Sequence, residues 1–139
     1  MKVIFVGMHN KPEMKPLDSK TKTGKVVDRI IAGLNGFECQ KSNLFEMDYH
    51  PEEKKEIWAA NLHWNEKYQP SSDDIIVLLG SWVHKEFLLT NANIIKVGHP
   101  AGFFYRSNKN TDEYVISVIS KITKATKKIN NDLSPDCGI

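Results

Sequence analysis

Asp74-Ile75-Ile76-Val77-Leu78-Leu79-Gly80 is the stretch on which the fold turns. Its five consecutive apolar residues leave no polar face, so the segment reads as a strand covered on both sides rather than one that alternates between core and water. Asp74 and Gly80 punctuate its ends. Outward from it, Lys2-Val3-Ile4-Phe5-Val6 has the same β-branched and aromatic character and is closed by Gly7. Phe37 to Ser42 and Asn93 to Val97, the latter ending at Gly98, supply two more strands. Helical spacing fills the intervals. Val26, Val27, Ile30, Ile31 and Leu34 follow Gly24 and stop at Asn35-Gly36. His50-Pro51-Glu52-Glu53 opens a helix carrying Ile57, Trp58, Ala60, Leu62 and Trp64, which Ser71-Ser72-Asp73 breaks. Ser81 is expected to cap a short helix containing Val83, Phe87 and Leu88, with Trp82 as packing, and Asp112 to Ile129 is amphipathic. Strands alternating with helices predict an α/β fold, a three-layer α/β/α sandwich around a central, mostly parallel four-stranded sheet.

The whole chain agrees with one such unit. At 139 residues it has room for a single domain, 1–139, with 130–139 expected as a frayed polar tail. Hydrophobic residues at 40% and charged residues at 26% exclude a disordered chain. The apolar runs fall far short of the roughly 20 residues of a membrane helix. Met1-Lys2 leads directly into Val3 to Gly7, too short for a secretory core, which makes cytoplasm the expected compartment. Cys39 and Cys137 are too few for a disulfide framework, a structural zinc site or a four-cysteine iron–sulfur cluster. A net charge of +2 is too small to decide on nucleic acid; local clustering decides instead.

In sheets of this kind ligands bind beyond the carboxyl ends of the strands, which directs attention to the segments there. Gly7-Met8-His9-Asn10-Lys11-Pro12 opens an irregular stretch to Thr23, a long loop of the kind that is usually functional. It lacks both G-x-G-x-x-G and the P-loop pattern. Lys41-Ser42-Asn43-Leu44-Phe45 ends the second strand, and the Asn43 amide carries the donor and acceptor needed to read an amide-like base edge or, alternatively, to satisfy its own turn. Gly98-His99-Pro100-Ala101-Gly102-Phe103-Phe104-Tyr105-Arg106 ends the fourth, where His99 can donate to a developing anion. Phe103, Phe104 and Tyr105 cannot all face inward, and with Arg106 they suit base stacking or insertion into a duplex.

Taken in order, these segments resemble the uracil-DNA glycosylase superfamily. The resemblance spans roughly residues 2 to 124 and rests on Gly7 to Pro12, Ser42-Asn43-Leu44, Val77-Leu78-Leu79-Gly80 and His99-Pro100 followed by Gly102 to Arg106. It implies hydrolysis of the bond between uracil, or a related damaged base, and deoxyribose after the nucleotide is flipped out of the helix. Asn43 would hold the base, His99 would stabilise the leaving base, and either Asn10 or His9 would orient the water. Phe103, Phe104, Tyr105 and Arg106 would contact DNA, and the protein would act as a monomer without metal or other cofactor. The first motif is two residues longer than the family's G-x-[DN]-P, Ala101 follows His-Pro where the family has Ser, and no aromatic lies between Leu17 and Gly24. Two other readings stand beside this one: a non-catalytic binder of a free base, nucleotide or nucleic acid on the same fold, and a deoxyribosyltransferase using Glu46 or Asp48 as nucleophile.

Overall fold

The structure, a computed structural model, describes residues 1–9, 13–47, 50–88, 92–102 and 108–133, with the side chains of 108, 109 and 130–133 excepted. Eight elements follow in chain order: β1 (Lys2–His9), α1 (Lys22–Ala32), β2 (Glu38–Phe45), α2 (Lys54–Tyr68), β3 (Ile75–Leu79), α3 (Ser81–Glu86), β4 (Asn93–Val97) and α4 (Asn108–Leu133). The four strands form one sheet in the order β2-β1-β3-β4, and every pairing is parallel.

The period-2 geometry of β1 splits its apolar run between two cores. Val3 and Phe5 join Val77 from β3, Val26, Val27 and Ile30 from α1, and Val115, Val118 and Ile122 from α4 on one face. Ile4 and Val6 join Ile76, Leu78, Trp64 from α2 and Val83 from α3 on the other. The sheet is therefore the middle of three layers. Right-handed crossovers account for this division: the chain moves from β1 to β2 in one direction and from β2 over to β3 and β4 in the other, so α1 lies on the face opposite α2 and α3. The direction reverses between β1 and β3, and a crevice opens at their carboxyl ends. No helix among the described residues is long and apolar enough to cross a membrane.

Several elements depart from the periodicity. β1 and β2 each run beyond the glycine and serine expected to end them, because the ladder continues through Gly7 opposite Asn43 and His9 opposite Phe45. Asn43 thus sits inside a strand, not in a turn of its own. α1 starts two residues before Gly24, where Thr21 accepts a hydrogen bond from the Gly24 N–H at 2.9 Å. Ser81 does not cap α3; Gly80 occupies that position with φ of +103°. Trp58 and Leu62 are half-exposed on α2, whose inner face carries Ile57, Ala60, Asn61, Trp64 and Tyr68. Asn61 escapes a hydrophobic pattern because it is polar, yet it is fully buried. Its amide donates to the carbonyls of Ile57 and Glu86, both at 2.9 Å, and its oxygen accepts from the Leu88 N–H at 2.8 Å, which ties α2 to the end of α3. α4 extends to Leu133, past the start of the expected tail.

Candidate functional site

The crevice between β1 and β3 contains two adjoining cavities that share the wall Met8, His9, Leu79 and His99. The first, of about 290 Å³, is closed by Gly7, Asn43, Leu17, Asp18, Thr21 and Thr23. The second, of about 390 Å³, is closed by His50, Gly80, Trp82 and Val83. Each is near or just above the lower bound of roughly 300 Å³ for small-molecule pockets, suited to a group the size of one ring system.

Asn43 reaches the first cavity from the last part of β2 and is only 3% exposed. Gly7 makes this possible. A Cβ at that position would strike the Asn43 side-chain oxygen and come within 2.8 Å of the Leu17 Cδ2. Leu17 itself holds a left-handed φ of +50°, a strained conformation for a branched side chain, while its side chain is almost fully buried. The strand below Asn43 is fixed through Ser42, which donates to the Phe5 carbonyl at 2.9 Å and accepts from the Trp64 indole N–H at 3.0 Å.

His99 lies just past β4 on a turn closed by the Gly102 N–H and the His99 carbonyl at 3.0 Å. The Tyr114 hydroxyl of α4 anchors the turn by donating to the Gly98 carbonyl at 2.6 Å. Below it, the His84 Nε2–H bridges the Leu78 and Val97 carbonyls, at 3.1 and 2.8 Å, which fastens α3 to the ends of β3 and β4. Gly80 leaves space for the His99 ring, since a Cβ there would approach its Cβ and Cδ2 at 3.3 Å. The ring's protonation follows from its own bond. Nδ1 accepts from the Ala101 N–H at 3.0 Å, so in the neutral ring the proton resides on Nε2, which is left as a donor. The ring is only partly covered, since His99 as a residue stays exposed to solvent, but that partial desolvation lowers its pKa and favours this neutral form.

That shift has a consequence for stability. Folded His99 binds its proton less tightly than the unfolded chain, whose ordinary value is 6.5, so below that pH the unfolded state takes up more protons. Stability therefore falls as pH drops from the unfolded value through the lowered folded one. Melting curves between pH 7.5 and 5 are expected to show a shallower acid loss for His99→Gln than for the unaltered protein; equal losses would mean His99 is solvated like a free imidazole.

The structure brings Asn43, His9 and His99 to one cavity, with His9 exposed at the end of β1. Asn10, Phe103, Phe104, Tyr105 and Arg106 lie outside the described residues. Glu46 does not line either of these cavities; its carboxylate accepts from Lys67 Nζ at 2.6 Å and from the Tyr68 hydroxyl at 2.5 Å. Although burial works to raise its pKa, those two bonds hold it below the ordinary value, and the same contact and burial push Tyr68 up. Asp18 does line the first cavity, but its two oxygens accept the backbone N–H groups of Lys15 and Lys20, at 3.2 and 3.0 Å. Among the described residues no group of three His, Cys, Asp or Glu could hold a metal ion.

Nothing in the sequence marks His50 for chemistry, yet the fold places it in the second cavity. Its Nε2 meets Glu86 at 2.7 Å, and its ring stands edge-on to Phe45 and Trp82. Trp82, read as packing, is 62% exposed. Neither placement has a local signal, because His50 and Glu86 are 36 residues apart and meet only when α2 and α3 share a face. The chain matches no protein-family model, no curated protein and no solved structure. The site therefore has to be read from its own geometry.

Proposed function

We propose that the first cavity holds a nucleobase and that the protein is a DNA base-excision hydrolase of the uracil-DNA glycosylase kind. One observation carries the reading: a buried side-chain amide and an imidazole whose Nδ1 is already occupied by a backbone N–H line the same small cavity at the point where the sheet reverses direction. The Asn43 amide offers a donor and an acceptor to the edge of uracil or a related base. As the bond from the sugar C1′ to the base nitrogen breaks, its electron pair moves onto the base. The His99 Nε2–H then donates to the oxygen on which that charge gathers, without transferring its proton. Water, oriented by His9 or Asn10, forms the new bond to C1′, and its proton passes to solvent while the departing base takes one up. The base must first leave the helix, at a cost of a few kcal/mol. Phe103, Phe104, Tyr105 and Arg106 follow the His99 turn in sequence and are the groups assigned to DNA.

A second reading, a non-catalytic nucleotide or nucleic-acid binder, is favoured by the state of Asp18. Both of its oxygens accept backbone N–H groups, so among the described residues the first cavity has no carboxylate committed to activating water.

Incubation with a uracil-containing oligonucleotide, single- and double-stranded, separates the two. The hydrolase reading predicts alkali-labile abasic sites at the uracil, reduced about tenfold or more by Asn43→Ala, in line with the loss of a two-point base contact. Binding that depends on Asn43 without abasic sites would establish the binder. Absence of both would overturn the nucleobase assignment.

A further inference from the structure

The second cavity has a different chemical character from the first. Its outer wall is the Trp82 indole, 62% exposed even though its neighbour Val83 is buried. The ring is braced by His50, whose centroid is 5.0 Å away at an interplanar angle of 84°. His50 is itself fixed, by Glu86 at 2.7 Å and by the edge-on Phe45 ring at 5.2 Å. A bulky indole held in place yet left open to solvent is a platform for a planar group, since stacking would recover the exposed apolar area. The cavity also continues from the first one through Met8, His9, Leu79 and His99, so one ligand can reach both.

We infer that the second cavity is a stacking subsite for the nucleobase adjacent to the one held at Asn43, and that the ligand is a dinucleotide step of single-stranded DNA. This rests on the reading of the first cavity as a nucleobase site. Single-strandedness follows from the geometry of stacking: a neighbour still paired in a duplex keeps its faces against its own neighbours, whereas an unpaired base is free to lie on Trp82. The chemistry is sequence-tolerant, because every base offers a π-face.

Fluorescence anisotropy of labelled single strands carrying one uracil tests this, with the flanking nucleotide on each side replaced in turn by an abasic residue. The protein is expected to bind the intact strand about tenfold more tightly than the strand lacking the flanking base on one side, and to bind the same sequence as a duplex more weakly. Trp82→Ala should make the intact and abasic-flanked strands equivalent, Trp82→Phe should restore most of the preference, and neither should lower the melting temperature, given the exposure of the side chain. No flanking-base preference, or one that survives Trp82→Ala, would overturn the subsite while Asn43-dependent binding left the first cavity's reading intact. Failure of the unaltered protein to bind any uracil-containing strand would overturn both.

Discussion

If the protein is the proposed base-excision hydrolase, His99→Ala is expected to lower the rate of uracil release by about 10²–10³-fold while changing oligonucleotide affinity far less. The asymmetry follows from when the interaction matters. Before the bond breaks, the base oxygen is a neutral carbonyl, and one hydrogen bond to it contributes a modest net amount in competition with water. As the bond breaks the oxygen becomes anionic, and a fixed donor in a partly enclosed cavity then stabilises it much more strongly. His99 meets the structural requirements: its ring orientation is set by the Ala101 N–H, and its turn is pinned by Tyr114. His99→Gln, which retains an N–H donor on a flexible chain, should recover part of the loss. Single-turnover rates and binding constants measured side by side check this. Equal losses in rate and affinity would assign His99 to uniform binding instead.

The largest effect on stability is expected at Trp64. It is 1% exposed, meets Phe87 edge-on at 4.8 Å and Tyr68 at 5.1 Å, and donates to Ser42. Trp64→Ala should cost about 3–5 kcal/mol through lost burial and the cavity left behind. Against the roughly 5–15 kcal/mol total stability of a typical domain, that removes a large share. Trp64→Phe keeps an aromatic body but removes the indole N–H, leaving the Ser42 hydroxyl with only its bond to Phe5; about 1 kcal/mol is expected beyond the packing loss. Urea titrations give both values. Since Ser42 precedes Asn43, the Phe variant should also weaken the base binding proposed for the first cavity, a readout separate from stability.

The sheet was legible because its strands are written as unbroken apolar runs. Ile75 to Leu79 admits no half-exposed arrangement, and all five residues are buried. Helix faces were harder. On α2 the tryptophan at 58 and the leucine at 62 carry the apolar signal, but the face that meets the sheet uses Asn61, whose three hydrogen bonds replace the hydrophobic contact that periodicity looks for. Asn43, His9 and His99 were legible as strand-end residues, since a parallel sheet collects the carboxyl ends of its strands on one side. The second cavity was not. Trp82 looks the same in sequence whether it packs inward or lies open, and the His50–Glu86 pair joins residues 36 apart in the chain. In sequence the glycine at 7 signals only a strand end, whereas its role is to admit the Asn43 amide, a constraint that exists only once β1 and β2 are paired.

Whether Asn43 and His99 together hold a nucleobase, as proposed, can be read from side-chain ¹⁵N NMR during titration with a uracil-containing single strand. The free protein should show His99 as the neutral tautomer protonated at Nε2. Saturation should move the His99 Nε2 and Asn43 side-chain amide signals along a single binding curve. A His99 ring protonated at Nδ1, or a saturating titration that leaves both side chains unmoved while other residues shift, would rule out a nucleobase held by this pair.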